Sequence, residues 1–215
     1  MRPLTQLPGR PQLPLITLSV GLASLLLANF GELLDWCFDY DAVIQGQWWR
    51  LISGHLVHSS ASHLCWDLLA FSLAAGYLER RSRTLLCACL LVGLLSVDLL
   101  LLSDLSPLAR YCGLSGLLYA PLTVALFLHG RRQHGPLGWL PLLMVAGKTA
   151  LELIDNSTLI VAGGWPGYPT AHLAGGLGGM LSLLLMACFK TAIQTRLTHL
   201  RSLGCAKSSC LRNGY

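Results

Sequence analysis

Residues 113–128 read Gly113-Leu-Ser115-Gly116-Leu-Leu-Tyr119-Ala-Pro-Leu-Thr-Val-Ala-Leu-Phe-Leu128, an uncharged apolar run that opens on a serine between two glycines. At 1.5 Å per helical residue, such a run crosses most of a hydrocarbon core roughly 30 Å thick. Five further stretches share its character: Pro14–Phe30, Ser62–Leu78, Thr84–Leu102, Leu137–Ile154 and Ala171–Phe189. The first is not read as a secretory signal peptide, because no small-residue cleavage site clearly follows and Glu32 and Asp35 come soon after. In a chain of 215 residues, 53% apolar and only 12% charged, this pattern excludes a soluble globular domain. The expectation is an all-α polytopic membrane protein with six transmembrane helices. It forms a single domain over 1–215, with its core at about 14–189 and a basic tail over 190–215.

Charge orients the spans. With the amino terminus inside, every one of the 15 Lys and Arg residues except Arg50, Arg110 and Lys148 falls on the cytoplasmic side. Positive residues stay on that side, so both termini are expected to be cytoplasmic. The net charge of +5 is then a positive-inside signature, aided by anionic lipid, and calls for no nucleic acid. The reading places the protein in a bacterial inner (plasma) membrane, its site facing the periplasm.

The cysteines form no disulfide framework. Cys65, Cys87, Cys89 and Cys188 lie in spans and Cys205 and Cys210 in the tail, while Cys37 and Cys112 share the outer side and are able to pair. No spacing resembles a zinc site, and the histidines lack obvious thiolate or carboxylate companions, so neither metal nor cofactor is expected. The outer segment 31–61 carries Gln47-Trp48-Trp49-Arg50, suited to an interface anchor and loop brace. The link Asp155–Thr170, with Gly163-Gly164-Trp165-Pro166-Gly167, reads as a mobile lid.

Three spans begin with polar groups on the outer side: His58-Ser-Ser-Ala-Ser-His63-Leu-Cys-Trp-Asp67, Gly113-Leu-Ser115-Gly116 and Ala171-His172-Leu-Ala-Gly175. Such groups are costly in lipid and are functional candidates by default. Counted up from the cytoplasmic ends, Ser115, His63 and His172 stand about 22, 24 and 26 Å high, a few ångströms below the outer surface. A serine needs a base to become a nucleophile, and His172 suits that role. At the start of its helix, Ser115 also sits among N–H groups that lack intrahelical partners and face a developing anion. Tyr119, one turn below, is placed to pack under the imidazole. Gly116 and Ala120, and Ala171, Gly175 and Gly179, recur every four residues, so the fourth and sixth spans can approach closely.

Bland readings stand beside these. Ser115 alone would be a helix-packing serine, His63 a helix cap, and His58 a structural residue. Lys148 and Glu152, one turn apart, are expected to pair, with Asp98 meeting Lys148 or Arg110; together these charges would alternatively mark an ion path.

At these residues the chain resembles the rhomboid family of intramembrane serine proteases. The family's pattern is Trp-Arg in the first outer loop, His-x4-His-x3-Asn at the second span, Gly-x-Ser-Gly-x-x-x-Tyr at the fourth and Ala-His-x-x-Gly at the sixth. Here it reads Trp49-Arg50, His58-x4-His63-x3-Asp67, Gly113-Leu-Ser115-Gly116-Leu-Leu-Tyr119 and Ala171-His172-Leu-Ala-Gly175. The resemblance implies a catalytic Ser115–His172 dyad, with His63, Asp67 and the Ser115 amide stabilising the oxyanion, and membrane-anchored proteins as substrates. Gly46-Gln47-Trp48-Trp49-Arg50 and the Gly54-His55-Leu-Val-His58 run are similar to the rhombosortase branch, thought to cut near Gly-Gly before a carboxy-terminal membrane helix. Asp67 stands where the family has asparagine. It either donates as a neutral carboxyl, orients His63, or marks an inactive relative that binds helices without cutting.

Overall fold

A computed structural model describes residues 13–210, apart from 134, 156 and 158–166, with only the backbone described at 194 and beyond 195. The protein is mostly helical, at 77%. The long helices are α1 (Leu15–Phe30), α5 (Ala61–Arg81), α6 (Arg83–Leu101), α7 (Ser115–Gly130), α8 (Leu140–Asp155) and α9 (Pro169–Cys210). Short helices α2 (Leu33–Trp36), α3 (Tyr40–Ile44) and α4 (Arg50–Ser53) fill the loop between α1 and α5.

Local chemistry sets these boundaries. Ser60 caps α5 by accepting from the His63 N–H at 3.2 Å. Ser82, in extended conformation, ends α5 and caps α6 through the Leu85 N–H at 3.1 Å. The α1 amino terminus is capped from another helix. Glu79 on α5 accepts from the Ile16 and Thr17 N–H groups at 3.0 and 2.9 Å, and from the Thr17 hydroxyl. A carboxylate there satisfies orphan donors and meets the positive end of the helix dipole.

Arg83–Leu101, Pro136–Asp155 and Pro169–Ile193 are long and apolar enough to cross a membrane. The helices α1 and α7 are apolar but shorter, and α5 is interrupted by buried His63, Asp67 and Glu79. The bundle turns leucines outward: Leu91, Leu95 and Leu99 on α6, Leu143 and Leu151 on α8, Leu177, Leu181 and Leu184 on α9. So much outward apolar surface fits lipid as the surrounding solvent.

Glycines let α9 press into α6 and α7. A methyl on Gly175 would fall on the Gly116 carbonyl, and one on Gly179 on the Ala120 backbone. A methyl on Gly178 would likewise crowd Ser96 and Gly93 of α6. Beneath this seam, Phe71, Leu78, Leu86, Leu117 and Val124 form the main core.

One feature departs from the sequence reading. The all-α expectation misses a two-residue antiparallel ladder, β1 (Phe38–Asp39) with β2 (Arg110–Tyr111), that ties the loop between α1 and α5 to the segment entering α7. The basic tail from 190 continues α9 as helix to Cys210. The lid expected at Gly163–Gly167 lies almost wholly outside the described residues.

Candidate active site

Ser115 is the first residue of α7, delivered by a constrained turn. Gly113 has φ of +120°, a left-handed value that suits glycine, and its Cα faces the His63 ring so closely that a methyl there would collide with it. Its N–H is held by the Gly54 carbonyl at 3.0 Å, and Tyr111 donates its hydroxyl to the Gly113 carbonyl at 3.0 Å. Burial pushes the Tyr111 phenol well above its ordinary value. It therefore acts as a fixed neutral peg, also accepting from the Gly116 N–H at 3.2 Å. The Leu114 N–H points to His58 Nε2 at 3.3 Å. Among the described residues, no hydrogen bond engages the Ser115 N–H.

That cavity encloses about 230 Å³ and is lined by His63, Asp67, Ser115, Tyr119 and His172, joined by Ser59, Trp66, Tyr111, Lys148 and Glu152. Five of the residues singled out from sequence thus converge on it. His172 is held from two sides. The Tyr119 ring stacks on it with centroids 4.4 Å apart and planes 3° from parallel, and its Nδ1 meets Glu152 Oε2 at 3.1 Å. Glu152 in turn binds Lys148 Nζ at 2.6 Å, and Lys148 reaches the Tyr119 hydroxyl at 3.2 Å.

Opposite, Asp67 Oδ2 lies 3.1 Å from His58 Nε2 and 3.3 Å from His63 Nε2. The far ring nitrogens are also engaged. His58 Nδ1 meets the Leu56 carbonyl at 3.0 Å, and His63 Nδ1 the Ser59 hydroxyl at 3.3 Å. His58 does not line the cavity; it stands behind Asp67 and joins it to the Leu114 amide. Gly116, Gly175 and Gly179 lie on the α7–α9 seam, outside the cavity.

The sequence argument against a metal, that the histidines lack a carboxylate companion, is corrected here. Among the described residues, His58, His63 and Asp67 bring their ligand atoms within 4.8 Å of one another. Mutual hydrogen bonds already hold these groups in place, so their arrangement needs no ion. Asp98 is also corrected: it pairs with His55, Nε2 to Oδ1 at 3.1 Å, and not with Lys148 or Arg110. Cys37 and Cys112 are free thiols buried in one cluster with Val57.

Arg50 braces the α1–α5 loop, donating Nη1 to the Leu34 and Cys37 carbonyls at 2.8 and 2.7 Å, while Trp48 and Trp49 stay exposed. Sequence reasoning missed Tyr111, whose signal was only its nearness to the Gly-x-Ser-Gly turn. It saw Glu152 but not its contact with His172. A depth count would have found it, because Glu152 lies three residues from the end of α8 at Asp155 and His172 three from the start of α9 at Pro169, each about 4–5 Å in.

Residues 45–189 match the Rhomboid domain. The chain belongs to the rhomboid family. A comparison with curated proteins gave no match. Rhomboid proteins are generally intramembrane serine proteases acting on membrane proteins within the bilayer, and this rhomboid is an integral membrane protein with a helical bundle.

Proposed function

We propose that this rhomboid is an active intramembrane serine endopeptidase with Ser115 as nucleophile and His172 as general base. The observation that carries the reading is the shared cavity. Ser115, at a helix amino terminus with its N–H unengaged, opens onto the same space as an imidazole stacked on Tyr119. In the proposed reaction His172 takes the Ser115 hydroxyl proton as Oγ attacks the peptide carbonyl. The tetrahedral oxyanion is met by the Ser115 N–H, His63 and the side chain at 67. His172 then protonates the departing amine, leaving an acyl-enzyme. Water, deprotonated by the same imidazole, attacks the ester, and collapse returns the proton to Ser115.

Six spans with both termini cytoplasmic would put this cavity near the periplasmic face, matching the basic-residue asymmetry. Membrane-anchored proteins with a Gly-Gly motif before a carboxy-terminal apolar helix and basic tail are the proposed substrates, following the rhombosortase resemblance. The test is co-expression with such a reporter. Release of its ectodomain by wild type, but not by Ser115→Ala or His172→Ala, is expected; equal release by all three would refute the assignment.

Asp67, in the place of the family's asparagine, favours one competing reading, a rhomboid-like protein that binds transmembrane helices without cutting. Fluorophosphonate labelling separates the two, because only an activated Ser115 reacts.

A further inference from the structure

Glu152 lies on α8, contributed by none of the motifs that carry the family resemblance, and its side chain is completely buried. Its two oxygens meet partners on different helices. Oε1 takes Lys148 Nζ of its own helix at 2.6 Å, and Oε2 takes His172 Nδ1 of α9 at 3.1 Å. We propose that Glu152 is a positioning residue for His172, so that Ser115, His172 and Glu152 work in line as a triad. This deepens the proteolytic reading above and rests on it.

The chemistry follows from donor inventories. An ionised carboxylate only accepts, so the Nδ1 facing Glu152 must carry the ring proton, and the lone pair is then fixed on Nε2. That is the tautomer needed to accept the Ser115 proton. Once His172 becomes an imidazolium, the adjacent carboxylate stabilises its new charge without itself taking the proton. A buried carboxylate needs a paired charge, and Lys148 supplies it. Tyr119 completes the mount, stacking on the imidazole while its hydroxyl takes Lys148.

The competing explanation is mechanical: an i,i+4 ion pair that merely secures α8. Such a pair would need no contact with α9, yet Oε2 is spent on the imidazole. The two accounts differ in how Lys148 and Glu152 combine.

The experiment uses the full-length protein in detergent micelles, with the rate of fluorophosphonate labelling at Ser115 and the proton NMR signal of the His172 ring. Glu152→Gln is expected to slow labelling by about a hundredfold, the scale of general-base assistance. Lys148→Met should slow it less than tenfold, and the double variant should stay at the Glu152→Gln level. A strongly deshielded Nδ1 proton should be present in wild type, absent in Glu152→Gln and recovered in Glu152→Asp. The proposal is overturned if Glu152→Gln labels within twofold of wild type, or if the double variant recovers what the single one lost. It is equally overturned if the Nδ1 signal survives Glu152→Gln. Labelling that persists in Ser115→Ala or His172→Ala would instead defeat the protease reading itself, and the NMR comparison still decides Glu152.

Discussion

The Tyr119 ring lies 3° from parallel to the His172 imidazole at a centroid separation of 4.4 Å. Four residues along α7 carry Ser115 and Tyr119 to the same face, so one helix holds the proposed nucleophile and the surface on which its base rests. A stacked pair of this kind contributes about 0.5–1.5 kcal/mol beyond burial. Tyr119→Ala is therefore expected to lower kcat up to about tenfold with KM little changed. Tyr119→Phe keeps the stack, loses only the hydroxyl contact to Lys148, and should stay within about threefold of wild type. Steady-state cleavage of a transmembrane reporter in micelles checks both.

The α7–α9 seam makes a second prediction. Because a methyl on Gly175 would land on the Gly116 carbonyl, Gly175→Ala must push the two helices apart. Overpacking of that sort costs about 1–3 kcal/mol. The displaced helix carries His172, three residues away, so activity should fall more steeply than thermal stability. Gly147→Ala, where the added methyl meets nothing within 4 Å, is the control and should leave both unchanged.

Much of this arrangement is legible in the sequence because a membrane span is set by length and apolarity, and both are local. The bounds expected for the fourth span, 113–128, differ from α7 at Ser115–Gly130 by two residues at each end. Motif spacing likewise put Ser115, Tyr119, His63 and His172 on one cavity, since helical periodicity fixes which residues share a face. What was not legible depends on partners remote in the chain. Glu79 caps α1 across 62 residues, His55 finds Asp98 across 43, and Asp39 meets Arg110 across 71. No local pattern announces such contacts. The expected Lys148–Glu152 pair is present, because an i,i+4 lysine is local and visible; the Glu152 contact with His172 is neither.

The β1–β2 ladder should be acid-sensitive. Arg110 donates to Asp39 at 2.7 Å, and this hydrogen bond is the main influence holding the Asp39 carboxyl below the usual carboxylate range. A depressed folded-state value adds stability above the unfolded value of about 4. That contribution disappears as pH falls through the lower folded value. The effect is small because the pair is partly exposed. Wild type should exceed Asp39→Asn in melting temperature at pH 7, and that advantage should begin to shrink as pH falls below about 4; a constant gap across the range would show the ion pair to be idle.

Buried thiols offer a structural check on the Cys37–Val57–Cys112 cluster. Burial, reinforced by neighbouring Cys37, pushes the Cys112 thiol up to about 12, and Cys37 is raised by burial as well. Since the thiolate is the reactive form, neither should alkylate at pH 8 while the protein is folded. Mass spectrometry after maleimide treatment is expected to find both unmodified in micelles and both modified after denaturation in dodecyl sulfate. Labelling of Cys112 in the folded protein would mean that the loop packing around Val57 is open.

Position 67 is the departure from the family pattern, and its surroundings set what asparagine should do there. Asp67 Oδ2 faces two ring nitrogens, His58 Nε2 and His63 Nε2, whose opposite nitrogens already meet the Leu56 carbonyl and the Ser59 hydroxyl. An asparagine amide is nearly the same size and has an N–H for either imidazole, or for an oxyanion in the cavity, whatever the proton count of the cluster. If position 67 serves as a neutral donor, Asp67→Asn should retain or raise kcat, with Asp67→Ala losing about tenfold or more. If the site instead depends on a carboxylate that holds His58 and His63 by charge, Asp67→Asn abolishes turnover while the helical circular dichroism and melting temperature stay intact. That second outcome would end the neutral-donor account and assign the oxyanion to His63 and the Ser115 amide.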